Sequence, residues 1–244
     1  MNKIGAAVEL ARCMAADGKH GYDQSHRWGP DYDCSSLIIT VWEQVGVPVR
    51  TGGATYTGNM REVFLRCGFE DVTGLVSLGD GRGLLAGDVL LNYANHTAMM
   101  VDKYNLVQAR INELGTVTGG QTGDQTGGEI AVRSYYNFPW DCVLRYREGA
   151  GGIAENASVG VQAPAEETVQ LRGLPLLRRG SRGDAVRAAQ YLLLCRGLAL
   201  QKYGADGDYG QETEDAVKEF QRLKGLEADG ECGALTWAAL TKEG

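Results

Sequence analysis

The sequence predicts an α+β fold for residues 1–147 and a small all-α domain for residues 173–244, on the strength of three patterns. After Cys34, the apolar residues Ile38, Val41, Trp42 and Val45 recur on one helical face. Residues 95–102 and 106–110 read as two strands joined by a short polar turn. Near the C-terminus, Asp206-Gly207-x-x-Gly210-x-x-Thr213-x-x-Ala216-Val217 returns as Asp229-Gly230-x-x-Gly233-x-x-Thr236-x-x-Ala239-Leu240.

Composition narrows the function classes. With 43% hydrophobic and 23% charged residues, the 244-residue chain has the make-up of an ordinary globular protein. Its net charge is -7 and it contains no basic run, which argues against nucleic acid as a partner. No stretch has the length and apolarity of a membrane span. The opening residues, through Arg12, read as an amphipathic helix rather than a secretory signal, because Glu9 and Arg12 interrupt the apolar run. The expectation is a protein made, and at first kept, in the cytoplasm. Six cysteines without C-x-x-C spacing predict free thiols rather than a zinc site, and three histidines without ligand spacing predict no metal and no cofactor.

The helix after Cys34 follows a loop rich in Gly, Pro and Asp, and Gly46 with Pro48 ends it. Asp33 can cap this helix, placing Cys34 in its first turn. A helix N-terminus favours negative charge, so the thiol is expected to have a lowered pKa and to serve as a nucleophile, although a buried structural cysteine fits the position as well. Of His20, His26 and His96, the last begins a strand. With a turn centred near Asp102, Met100 faces Tyr104, Ala98 faces Leu106 and His96 faces Gln108. Gln108 could then orient the imidazole, with an exposed strand position as the alternative. Tyr22, about a dozen residues ahead of Cys34, could donate to a developing oxyanion together with the Cys34 backbone N–H, or could simply be a packed loop aromatic.

Residues 148–172 read as a flexible linker: large apolar residues nearly vanish, and four glutamates face no basic residue between 148 and 170. Beyond it, Asp-Gly supplies turns with positive φ and each Thr starts a helix as cap or first-turn residue, so residues 173–244 predict three short helices. The run from Asp206 to Gln221, followed by Gly225-Leu226, Asp229-Gly230 and Thr236-Trp237, resembles the type-1 peptidoglycan-binding domain. That resemblance implies binding to cell-wall glycan or peptide.

The N-terminal order is Tyr22, then Asp33-Cys34-Ser35-Ser36 opening a helix, Gly87-Asp88-Val89-Leu90 opening a strand, and His96-Thr97-Ala98-Met99-Met100-Val101. It resembles the NlpC-type family of cell-wall cysteine peptidases, over roughly residues 5–147. The resemblance implies a papain-like domain in which the helix carrying the cysteine packs on an antiparallel sheet. It assigns the nucleophile to Cys34, the base to His96 and the third polar residue to Gln108, with Tyr22, Asp33 and Ser35 about the substrate or oxyanion. Ser36 stands where the family often has Gly. Residues 115–129, rich in Gly and Thr, predict a long loop beside the hairpin. With Arg133-Ser134-Tyr135-Tyr136-Asn137 this loop resembles phage lysins of Gram-positive hosts, and Asp124 and Gln125 either touch a stem peptide or hold the loop. The implied function is an endolysin-like peptidoglycan hydrolase cutting between D-γ-glutamyl and the diamino acid, with an N-acetylmuramoyl-L-alanine amidase as the alternative. A non-catalytic wall-binding protein and a thiol-dependent acyltransferase are the remaining classes.

Overall fold

The computed structural model describes residues 3–126, 128–147, 174–198, 200 and 202–241. The linker expected at residues 148–172 lies outside them. The elements are α1 (Lys3–Ala16), α2 (Cys34–Gln44), α3 (Thr57–Arg66), β1 (Phe69–Asp71), β2 (Val89–Asn92), β3 (His96–Met100), β4 (Asn105–Ala109), β5 (Ile130–Ser134), β6 (Cys142–Tyr146), α4 (Asp184–Cys195), α5 (Gln211–Leu223) and α6 (Ala234–Leu240). No helix among the described residues is long and apolar enough to cross a membrane.

The six strands form one antiparallel sheet in the order β1-β6-β2-β3-β4-β5. Both of its faces are covered, so the central strands are buried at nearly every position. Val89, Leu91, Met99 and Val107 pack with the apolar faces of α1 and α2. Leu90, Ala98, Met100, Leu106 and Val143 pack on the other face with Val72, Leu84 and Trp140. The alternation along each strand follows from side chains pointing to opposite sides with period two.

Helix α2 has both ends the sequence predicts. Asp33 is its N-cap: the carboxylate accepts the Ser36 backbone N–H at 2.7 Å, and the Ser36 hydroxyl accepts the Asp33 N–H at 2.9 Å. Ser36 thus completes a capping box, a device whose loss costs about 1 kcal/mol. At the other end the Gly46 N–H reaches Glu43 and the Val47 N–H reaches Trp42, with Gly46 at φ 79°. These two bonds satisfy the last carbonyls, and the left-handed residue between them favours glycine. Trp42 is fully buried, with Phe69 edge-on at 4.8 Å and Tyr146 at 5.3 Å.

The β3–β4 register differs from the expected one. Met100 pairs with Leu106 and Met99 with Val107, rather than Ala98 with Leu106. The cause is the turn: the Asp102 carboxylate accepts the N–H groups of Tyr104 and Asn105, both at 2.8 Å, and the Val101 N–H bonds to the Asn105 carbonyl. This Asx-type turn moves the centre one residue on, to Lys103. Each partner therefore shifts by two, which leaves the parity of the faces unchanged. His96 and Gln108 stay on the same side of the sheet, now as diagonal neighbours.

In the C-terminal domain the repeat has a specific physical content. Gln190 on α4 donates to the Asp206 carboxylate (2.8 Å) and the Thr213 hydroxyl (2.9 Å), and its oxygen accepts the Gly207 N–H (2.8 Å). Gln221 on α5 does the same one unit later, to Asp229 (2.7 Å), Thr236 (3.0 Å) and the Gly230 N–H (2.9 Å). Each buried glutamine therefore ties an Asp-Gly turn to the first turn of the following helix, and both its amide nitrogen and its oxygen are hydrogen-bonded. The helix caps are Gly210 and Gly233, so the threonines are first-turn residues rather than caps. Helix α4 also packs on α1: Arg196 pairs with Glu9 at 3.6 Å, and the Tyr191 ring lies edge-on to His20 at 5.5 Å.

Candidate active site

Cys34 is the first residue of α2, and it is 8% exposed. Helix α2 packs on β3, and the backbone N–H of Thr97, the residue after His96, is among the groups that act on the Cys34 thiol. The expected lowering of its pKa is not found. The thiol is pushed up to about 11, first by burial and then by the neighbouring Asp33 charge, against which the Thr97, Ser35 and Cys34 N–H groups work in the other direction. Desolvation of a thiolate in this pocket outweighs the helix N-terminus.

His96 enters β3 from a turn held by Asn92, whose side-chain oxygen accepts the N–H groups of Ala94 (3.2 Å) and Asn95 (2.9 Å). The imidazole Nε2 is 2.8 Å from Gln108 Oε1. The same oxygen accepts the Tyr136 hydroxyl, also at 2.8 Å, and Gln108 is 1% exposed. An amide oxygen can only accept, so in this arrangement Nε2 carries the proton and Nδ1 keeps its lone pair. Phe138 lies edge-on to the imidazole at 5.6 Å and Trp140 stacks beside it at 5.9 Å. Burial in this aromatic setting holds the His96 pKa below the ordinary 6.5; the Arg110 charge adds to that, and the Gln108 hydrogen bond opposes it. The resting pair at neutral pH is therefore thiol and neutral imidazole. From the sequence, Tyr136 is named only within the 133–137 run and Phe138 and Trp140 are not singled out, although the aromatic run from Tyr135 to Trp140 is the signal that marks them.

Tyr22 is buried close enough to Cys34 to feel its charge, and it accepts the Gln24 side-chain amide at 3.0 Å, which leaves its own proton free. Burial pushes its pKa up to about 12. Asp33 and Ser35 are already engaged. Arg27 bonds the Asp33 carboxylate at 2.6 Å and the Ser35 hydroxyl at 3.0 Å, and Ser35 in turn donates to Asp33 at 2.8 Å. Their place is in the support of Cys34. Gln125 donates to the Ala15 carbonyl at 2.8 Å, and Asp124 accepts the Thr126 hydroxyl. The Asp124 carbonyl lies so near Gly21 that a Cβ there would stand 2.6 Å from it. Residues 117–125 thus brace the segment carrying Tyr22, with Gly119 bonding Asp23 (3.1 Å) and Gly123 bonding Asp31 (2.8 Å). His20 is buried with Nδ1 on the Pro30 carbonyl at 2.8 Å, and the His26 side chain is largely exposed.

In comparisons with known proteins, the endolysin-like domain matches residues 3–105 and 106–166. The chain belongs to the endolysin-like domain family. The peptidoglycan binding domain matches residues 182–240. Among curated relatives, a protein named "Probable N-acetylmuramoyl-L-alanine amidase" of Bacillus licheniformis is 34% identical over 96 residues, 39% of this chain and 27% of that protein. A second, "N-acetylmuramoyl-L-alanine amidase CwlL" of the same organism, is 44% identical over 69 residues, 28% of this chain and 19% of that protein. The chain thus spans about a fifth to a quarter of the length of these relatives. A solved structure of a peptidoglycan-binding protein from Clostridioides difficile, in complex with glutamine hydroxamate, is 38% identical and covers 28% of this chain and 41% of that chain; its TM-score of 0.26 carries no argument about the fold.

Two expected results arise from this geometry. With His96 as the candidate base and Gln108 as the residue that would orient it, the loss in kcat/KM is expected to be larger for His96→Ala than for Gln108→Ala. Tyr136→Phe, which leaves Gln108 Oε1 without one donor, is expected to cost less than either. Full activity in His96→Ala would move the base to another residue. The second concerns pH. As the candidate base, His96 would have to be neutral to accept a proton, so activity is expected to be lost as pH falls through its depressed pKa. The acid limb of kcat/KM is expected to have its midpoint below 6.5. Alkylation of Cys34 in the free protein, followed by peptide mass spectrometry, should rise with a midpoint near 11. A midpoint near neutrality would show that the resting thiolate forms after all.

Proposed function

We propose that this protein hydrolyses an amide bond in the stem peptide of bacterial peptidoglycan, with Cys34 as nucleophile, His96 as base and then acid, and Gln108 as the residue that orients His96. The observation supporting this most directly is that the helix carrying Cys34 packs on β3, where the Thr97 N–H favours the Cys34 thiolate and the neighbouring His96 has Nε2 tied to Gln108. His96 Nδ1 takes the thiol proton as sulfur attacks the carbonyl carbon. The oxyanion so formed receives the Tyr22 hydroxyl and the Cys34 backbone N–H. The imidazolium then gives its proton to the amine nitrogen, the C–N bond breaks and a thioester remains. Water, deprotonated by His96, adds to the thioester, and the C–S bond breaks to restore the thiol. Residues 173–244 hold the enzyme on an insoluble substrate, so that each catalytic encounter becomes intramolecular.

The resemblance to NlpC-type cysteine peptidases, with its papain-like fold, favours the bond between D-γ-glutamyl and the diamino acid. The names of the two Bacillus relatives favour the N-acetylmuramoyl-L-alanine amidase bond. Mass spectrometry of fragments released from purified walls separates the two. Whole stem peptides mean the amidase, and peptides lacking L-Ala-D-Glu mean the endopeptidase. If walls of several stem-peptide types release nothing in a Cys34-dependent way, the chain is a wall-binding protein without catalysis.

A further inference from the structure

Two arginines beside His96 take no part in moving the proton. Arg110 directly follows β4 and Arg133 lies on β5, and both line a cavity of about 420 Å³ together with Asn95, His96, Tyr136 and Phe138. The Arg133 guanidinium lies over the Tyr136 ring at 5.0 Å, and Tyr136 is the residue whose hydroxyl holds Gln108. Neither arginine has a carboxylate partner among the described residues, although the chain carries 31 acidic residues against 24 basic ones. Most other arginines described are in ion pairs, so an unpaired couple at the mouth of the site is a departure from the pattern of this surface.

The chemistry says which part of a substrate meets them. His96 delivers its proton to the leaving amine, so that nitrogen must come within hydrogen-bond reach of the imidazole, while the acyl half is held on Cys34. Groups attached to the amine therefore lie against the residues that border His96. We infer that Arg110 and Arg133 form an anion subsite selecting substrates with a free carboxylate on the leaving-amine half of the scissile amide. This rests on the reading of Cys34 and His96 as the catalytic pair. Guanidinium groups suit the task because they stay charged and meet a carboxylate through a planar fork. A bound carboxylate also has a second effect. The Arg110 charge lowers the basicity of His96 in the free protein, and an anion beside it cancels that influence once substrate is in place.

The test compares soluble muropeptides that differ only in whether each free carboxylate on the amine half is kept or converted to the carboxamide. At low ionic strength the wild-type protein is expected to favour the carboxylate form by roughly tenfold or more in kcat/KM, a preference that falls as salt is raised. With the carboxylate substrate the acid limb of kcat should lie at higher pH than that of kcat/KM, since kcat reports the complex in which Arg110 is neutralised. In the double variant Arg110→Gln, Arg133→Gln the preference should fall to about one, and the corresponding double lysine variant should restore part of it. Equal wild-type rates on both forms, or a preference kept by the double glutamine variant, would overturn the subsite alone. Absence of Cys34-dependent cleavage of either form would overturn the catalytic reading beneath it.

Discussion

Cys34→Ala is expected to reduce the release of soluble fragments from purified cell wall by about 10⁴-fold or more while leaving sedimentation of the protein with the wall unchanged. On the proposed mechanism the magnitude follows from the loss of the covalent route: without sulfur, His96 would have no bound nucleophile to deprotonate, and only positioning would remain. Binding is expected to survive because the C-terminal helices are held by their own glutamine-centred hydrogen bonds, in which Cys34 takes no part. The substitution removes one sulfur from a nearly buried position, so near-wild-type thermal unfolding is the control. Full release of fragments by this variant would transfer the nucleophile to another group and end the cysteine mechanism.

The largest effect on stability is expected from Asp88→Ala. Asp88 is 0% exposed and receives Arg145 through two nitrogens, Nε at 2.7 Å and Nη2 at 2.6 Å; it also accepts the Leu85 N–H at 2.8 Å. Removing the carboxylate leaves a half-buried guanidinium and a backbone donor without their partner. Breaking such a pair costs about 3–5 kcal/mol, far more than a surface pair. Denaturant unfolding should show a lower midpoint with an unchanged slope for the N-terminal domain. Adding Arg145→Met to the same variant should recover part of the loss, because the uncompensated charge goes with it. A change below about 1 kcal/mol would place this pair among ordinary surface contacts.

Much of the fold was legible because it is written in short-range patterns. The apolar stripe after Cys34, the cap at Asp33 and the stop at Gly46 each depend on residues within one or two turns of each other, and the helix they predict is α2. The Asp-Gly repeat likewise announced three helices, since a turn and a helix start are local events. The common face of His96 and Gln108 could be read from strand alternation, and it survived a register two residues away from the expected one because parity is insensitive to an even shift.

Other properties of the site belong to the tertiary structure alone. Nothing near Cys34 in the chain announces how completely packing of α2 on β3 removes its thiol from water, and that burial reverses the pKa shift expected from the helix end. Asp33 and Ser35 could be placed beside Cys34 from sequence, but only Arg27 folding back over them shows that their polar atoms are taken. Gln125 is anchored on the Ala15 carbonyl, a contact 110 residues distant that loop composition does not encode. Tyr136, Arg110 and Arg133 meet around His96 because β4 and β5 pair side by side and the chain then turns across the sheet. The sequence by itself determined the elements, their ends and the faces they present, because hydrogen bonding and periodicity act over a few residues. The tertiary structure decided which charges are buried, which are paired and which, among the described residues, have no carboxylate partner beside His96, because desolvation and Coulomb interactions depend on every segment that packs around a group.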